Sequence, residues 1–224
     1  MIYNLNGIKL DLMDQPGSRA NLIVAHEINN DDYNLDKVGL QPGDYVIDIG
    51  ANTGMLALYL LKKYPGIFVV SFEASPVNYQ NLLRNSQQNA GHKFNWMTFN
   101  MAVTSDARSI ELNHPLVCKN SGSIDIYTKG NNTYTISSIS LGQIFYMYIP
   151  DKVKLLKIDC EGSEYEILYN CSVKLFDRVE YLVAEFHKSS LLKGFTAKDL
   201  YDYCLKFFDK QHFFANQPGN VRLT

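Results

Sequence analysis

The chain has 224 residues, of which 46% are hydrophobic and 20% charged. That is enough for one ordinary core and too apolar for a disordered chain. With 21 basic and 23 acidic side chains the formal net charge is -2, so nothing draws it in bulk to phosphate backbones or anionic lipid, and no nucleic-acid partner is expected.

No apolar run approaches the roughly 20 residues of a membrane span. The N-terminus has no basic stretch followed by a long apolar one, which argues against a signal peptide. The four cysteines, at 118, 160, 171 and 204, include no Cys-x-x-Cys pair, and a core of this size needs no disulfide staples. They read as reduced thiols of a cytoplasmic protein.

Residues 1–44 are polar and mixed and read as an N-terminal extension to a single domain spanning 1–224. Within it, 8–12 alternates as a short strand, 22–25 belongs to a helix running into His26 and Glu27, and Pro42-Gly43-Asp44 is a turn. The β-branched run 45–49 then ends at Gly50, and a helix-forming stretch follows Gly54 until Pro65-Gly66 stops it. A second strand, 67–72, closes on Glu73. Ser75-Pro76 starts a helix with serine at the cap and proline at the first helical position. The stretch 94–99 is a third strand.

The alternation pauses over 113–151, which is rich in Asn, Ser, Gly and Tyr. It resumes with a strand at 153–158, a short helix at 163–169, a strand at 179–186 and an amphipathic helix at 196–208 capped by Thr196 with Asp199. The runs 212–215 and 221–223 read as a last hairpin. Strand and helix alternating at this spacing specify an α/β fold, a Rossmann-like sheet of mostly parallel strands with helices on both faces.

In such sheets ligands bind beyond the carboxyl ends of the strands. There the chain reads Asp48-Ile49-Gly50-Ala51-Asn52-Thr53-Gly54. The tight turn needs glycine for its backbone angles and for close approach of a ligand. It fails the dinucleotide pattern G-x-G-x-x-G, because Asn52 and Met55 stand at the second and third glycine positions, and it lacks the lysine of a phosphate-binding loop. Glu73, 25 residues after Asp48, can accept both hydroxyl protons of a ribose. A nucleoside cofactor without a pyrophosphate fits this set and points to S-adenosylmethionine.

The stretch 45–54 resembles the first motif of class I methyltransferases, and Ser-Phe-Glu-Ala-Ser-Pro at 71–76 their second. Leu-Lys-Ile-Asp-Cys-Glu-Gly-Ser-Glu at 156–164 and Val-Ala-Glu-Phe-His at 183–187 are similar to FkbM-type methyltransferases, as are Asn100-Met101-Ala102-Val103 and Ser121-Gly122-Ser123. The resemblance covers roughly 40–190. It implies that Asp48, Gly50, Asn52 and Gly54 hold the methionine part of the cofactor, that Glu73 binds the ribose, and that Ala74 with Asn100 or Ala102 borders the adenine. It places Asp159 near the methyl group. The Asn/Asp-Pro-Pro-Tyr signature of amino-methylating enzymes is absent, which lowers the odds of methylation on an amide or nucleobase nitrogen.

Two neighbouring strand ends bring Asp159 and Glu161, then Glu185 and His187, to one crevice. His187 titrates nearest neutral pH and is a candidate base. Asp159 either takes the proton or orients the acceptor, and Glu185 completes the catalytic set. The bland reading makes Glu161 and Glu164 helix-terminus charges and His187 a loop residue. A divalent ion on Asp159, Glu161 and Glu185 is a minority alternative. The aromatics of 113–151, Tyr127, Tyr134, Phe145, Tyr146 and Tyr148, form either an acceptor-recognising lid or an extra hairpin and helix packed on the sheet. The expectation is O-methylation of a hydroxyl on a sugar, glycolipid or small metabolite. The alternatives are a nucleic-acid methyltransferase and a cofactor-binding module without turnover.

Overall fold

A computed structural model of the chain describes residues 1–15, 17–89, 95–114, 132–187, 194, 196–217 and 221–222. The expectations for Ser121-Gly122-Ser123, Cys118 and Tyr127 lie outside the described residues.

The N-terminal segment folds as an antiparallel hairpin, β1 (Ile2–Leu5) and β2 (Ile8–Asp11), followed by α1 (Ala20–Asn29) and α2 (Leu35–Val38). Asn6 and Gly7, at φ 48 and 85, make the hairpin turn, the Asn-Gly pair that left-handed two-residue turns favour. The alternating unit follows as β3 (Tyr45–Ile49), α3 (Met55–Lys63), β4 (Phe68–Phe72), α4 (Pro76–Gln88) and β5 (Trp96–Phe99). Next come β6 (Ala102–Thr104), β7 (Ile110–His114), β8 (Asn132–Ile136), β9 (Ser138–Ser140) and α5 (Leu141–Tyr148). The chain closes with β10 (Val153–Ile158), α6 (Glu164–Tyr169), α7 (Val173–Phe176), β11 (Val179–Glu185), α8 (Ala197–Cys204), β12 (Phe213–Gln217) and β13 (Val221–Arg222).

The central sheet runs β13-β12-β11-β10-β3-β4-β5, all parallel except β13 at one edge. Its strands are continuous apolar runs because both faces are covered. Successive residues serve opposite cores. Ile47, Val70, Leu156 and Leu182 pack with α5, α6 and α8, while Val46, Val69, Leu155 and Val183 pack with α3 and the N-terminal hairpin. Ser75 caps α4 by accepting from the Asn78 N–H at 3.2 Å, with Pro76 at the first position. Thr196 and Asp199 form the expected capping box on α8, which ends at Cys204, earlier than the sequence suggests.

Residues 113–151 hold more regular structure than their composition indicates. β7 and β8 pair as an antiparallel hairpin and β6 pairs with β9. The Phe145 ring of α5 is buried in the core, and Tyr148 lies against Phe99. Cys160, Cys171 and Cys204 carry free thiols. Among the described residues no helix is long and apolar enough to cross a membrane.

The strand order reverses between β3 and β10, whose neighbours lie on opposite sides. A crevice opens at their carboxyl ends, where such sheets bind ligands.

Candidate active site

Beyond β3 the chain turns through Gly50 at φ 77, Asn52 at φ 52 and Gly54 at φ 85. The glycines are required by their neighbours in the fold. A Cβ on Gly50 would lie 1.7 Å from the Asp159 carbonyl oxygen. One on Gly54 would meet Leu82 at 2.5 Å and Trp96 at 2.7 Å. Gly50 thus lets the ends of β3 and β10 touch, and Gly54 lets α3 start against α4 and β5. Asn52 takes a left-handed conformation that asparagine tolerates.

Glu73 fixes this turn from β4. One carboxylate oxygen accepts the Asn52 N–H at 2.8 Å and the other the Ser75 N–H at 2.9 Å. Burial raises its pKa, opposed by those two hydrogen bonds. Ala74 and Ala102 line the cavity above it. Asn100 acts one step back: its Nδ2 donates to the carbonyls of Glu73 and Ala74 at 2.9 and 3.0 Å.

The residue that sequence reasoning passed over is Lys157. It sits on β10 in register with Asp48 and is 4% exposed. Its Nζ donates to the carbonyls of Gly50 at 2.8 Å and Ile49 at 3.3 Å. It also lies 3.4 Å from Asp48 Oδ1 and 3.5 Å from Asp159 Oδ2. Burial alone would lower its pKa, but Asp159 and Asp48 reverse that and hold it above an ordinary lysine. A charged residue in a strand covered on both faces has no solvent side to reach, so it must be paired; Lys157 within an apolar run carried that signal. Asp48 is sealed in the same way. Neither of its oxygens makes a hydrogen bond, and burial raises its pKa against the pull of Lys157.

At the far end Asp159, Glu161, Glu185 and His187 come together, as the strand order implies. Glu164, at 0% exposure, organises them. It accepts the N–H groups of Cys160 at 3.0 Å and Gly162 at 2.8 Å, and stands 2.9 Å from His187 Nδ1. The other ring nitrogen of His187 lies 3.5 Å from Glu161 and 3.9 Å from Asp159. Burial lowers the imidazole, but Glu164 first, then Glu161 and Asp159, push its pKa up to about 10. It is therefore an imidazolium at neutral pH, where an unperturbed histidine would be titrating. Glu185 moves the other way for a carboxyl: burial, then the Asp159 charge, push it up to about 7 against the pull of His187.

Asp159, Glu161 and His187 present ligand atoms within 4.8 Å of one another. Glu185, in the expected cation-binding set, is not part of that cluster. The His187 imidazolium itself supplies positive charge to the carboxylates there.

One cavity of about 760 Å³ joins these groups, reaching from Glu73 past Asp48 and the turn to Asp159, Glu185 and His187. This is the size of a small-molecule site, roughly 300–1,000 Å³. The N-terminal segment builds part of its wall through α1, including the buried Glu27, whose carboxylate accepts the Tyr33 hydroxyl at 2.6 Å. Among the described residues of 113–151, none lines it. Tyr146 is 90% exposed on the outside of α5.

Residues 48–213 match the family model described as the methyltransferase FkbM domain. A protein named methyltransferase sdnD from Sordaria araneosa is 26% identical over 186 residues, covering 69% of this chain and 70% of that protein. The 31-O-demethyl-FK506 methyltransferase FkbM of Streptomyces tacrolimicus is 28% identical over 182 residues, covering 67% and 68%. The fold is similar to the crystal structure of methyltransferase FkbM from Methylobacillus flagellatus, at a TM-score of 0.50 and 16% identity. That match covers 91% of this chain and spans about half, 51%, of the solved one. The strand ends that border the cavity lie within the matched region while α1 precedes it, and the chain belongs to the FkbM methyltransferase domain family.

Proposed function

We propose that the chain transfers a methyl group from S-adenosylmethionine to a hydroxyl oxygen of a small-molecule or glycan acceptor. The observation that carries this reading is the division of one cavity into two polar ends. Asp48, buried and accepting no hydrogen bond, suits the ammonium of the methionine part. Glu73 has lone pairs left for ribose hydroxyls after accepting two backbone N–H groups. Gly50 and Asn52 shape the floor between them, with Gly54 setting the start of α3 behind it, Ala74 and Ala102 beside the adenine and Asn100 holding that wall. Methyltransferases of this family use S-adenosylmethionine generally, and the residues present fit it.

When bound, S-adenosylmethionine supplies an electrophilic methyl on a sulfonium. The chain's residues align the acceptor with it and remove one proton, which is most of what such a transfer requires. Asp159 orients the hydroxyl. Glu185, with a pKa of about 7, accepts its proton at neutral pH. His187, already charged, steadies Asp159 and Glu161 and stabilises the negative charge developing on the oxygen. The name of the Streptomyces relative specifies methylation at an oxygen, which favours this acceptor over nitrogen.

A methyl-transfer screen against hydroxylated metabolite and glycan pools, read by mass gain, tests the reading. The expected product carries one added methyl that forms an ether. A product methylated on nitrogen or carbon overturns the oxygen assignment.

A further inference from the structure

The N-terminal segment precedes the family match at 48–213, yet its helix α1 lines the catalytic cavity. Ala20, Ile23, Val24 and Glu27 recur at spacings of three, four and seven residues, which places them on one face of a helix. All four line the cavity. The face is graded. Ile23 is 44% exposed, with the neighbouring Leu22 at 56%, while Glu27 one turn further on is buried. Two bonds fix its position: Asn21 accepts the Thr53 hydroxyl of the cofactor turn, and Tyr33 holds the Glu27 carboxylate.

Exposed apolar side chains at the rim of a cavity cost free energy until an apolar surface covers them. At the inner end of the same face Glu27 shares the cavity lining with Asp159 and Glu185, and the Asp159 charge raises the pKa of both Glu27 and Glu185. Asp48, Glu73 and Glu161 line the cavity as well. Of the cations there, Lys157 is committed to Asp48 and Asp159, His187 to Glu164, and Arg19 stands exposed at the helix start. His26, the other imidazole on the lining, is also exposed. An anionic acceptor entering this end would be repelled.

We infer that α1 is the acceptor-selecting element, and that it selects a neutral hydroxyl compound with an apolar body. The body lies along Ile23 and Val24, and the hydroxyl reaches Glu27, Asp159 and Glu185. Ile110 and Leu112 of β7, on the same cavity lining, extend the apolar surface. This rests on the methyl-transfer reading and narrows its acceptor.

The test is saturation-transfer NMR with three probes that share a sugar: octyl β-D-glucopyranoside below its micelle concentration, D-glucose, and D-glucose 6-phosphate. Each is measured with and without S-adenosylhomocysteine. The wild type should bind the octyl glucoside, bind glucose more weakly and leave the phosphate ester unbound. Ile23→Glu should weaken octyl glucoside at least about tenfold, the scale of losing one buried aliphatic side chain. It should leave the melting temperature and S-adenosylhomocysteine affinity unchanged, and Ile23→Leu should bind as wild type. The inference falls if glucose 6-phosphate binds as well as the octyl glucoside. It also falls if the wild type ignores the octyl glucoside, or if Ile23→Glu binds it undiminished. Failure of S-adenosylhomocysteine itself to bind refutes the methyl-transfer reading, separately from the outcome with the sugar probes.

Discussion

Gly50 and Asp159 are in backbone contact: a single added carbon on Gly50 would sit 1.7 Å from the Asp159 carbonyl oxygen. The turn after β3 and the end of β10 are therefore packed backbone to backbone, tied further by the Lys157 bonds to the Ile49 and Gly50 carbonyls. Gly50→Ala must separate β3 from β10 and also strain a positive φ. We expect a loss of about 3 kcal/mol or more, in the upper range for single substitutions. Chemical denaturation measures it.

Lys157→Met would leave Asp48 and Asp159 without their shared cation. Breaking a buried ion pair from one side costs about 3–5 kcal/mol, because a charge is left uncompensated. Asp48→Asn added to Lys157→Met should recover part of that stability. The double variant should still bind the cofactor poorly, because its amide lacks the charge that meets the ammonium. Thermal melts alongside calorimetry separate the two effects.

The raised pKa of His187 gives stability a definite pH dependence. The folded value is about 10 against an ordinary 6.5, so the folded state binds the proton more tightly than the unfolded one. The contribution is complete below about 6.5 and is lost as pH rises through about 10. Glu164→Gln removes the nearest carboxylate and should move the His187 ring titration downward, as followed by NMR of the imidazole. A wild-type ring that titrates near 6.5 would contradict the geometry of the Glu164 pair.

For Glu185 the sign is the same, in a lower pH window. Its folded pKa is about 7 against an ordinary 4.5. Between those values the unfolded chain is ionised while the folded one holds its proton, so stability falls as pH rises from 4.5 to 7 and the penalty is full above 7. Glu185→Gln should raise the melting temperature at pH 8 more than at pH 5. The same substitution should slow methyl transfer about 10²–10⁴-fold, the usual value of a general base. In the wild type the rate should climb with pH through about 7. His187→Ala should shift that limb upward, because the imidazolium holds Glu185 down.

Much of this frame is legible in the sequence, because the sheet is buried on both faces and its strands are apolar runs. The strands at 45–49 and 153–158, the Ser75-Pro76 start and the Thr196 box rest on local chemistry and appear as expected. What the sequence hides is partnership at a distance. It offers Gly50 and Gly54 as turn glycines but not the atoms packed against them, which belong to Asp159, Leu82 and Trp96. It offers His187 as a group near neutrality, but three carboxylates from the Asp159–Glu164 stretch change that. The N-terminal hairpin was written in Asn6-Gly7. The place of Glu27 in the cavity depends on how α1 docks through Thr53, and no local pattern carries that.

The proposed cofactor binding rests most directly on two acids, Asp48 and Glu73. Isothermal calorimetry with S-adenosylmethionine, S-adenosylhomocysteine and a nicotinamide dinucleotide tests it. The prediction is binding of the first two and none of the third. Glu73→Ala should lose about 1.5–3 kcal/mol of affinity, the scale of hydrogen bonds to a charged group. Binding of the dinucleotide, with no heat from S-adenosylmethionine, would contradict it.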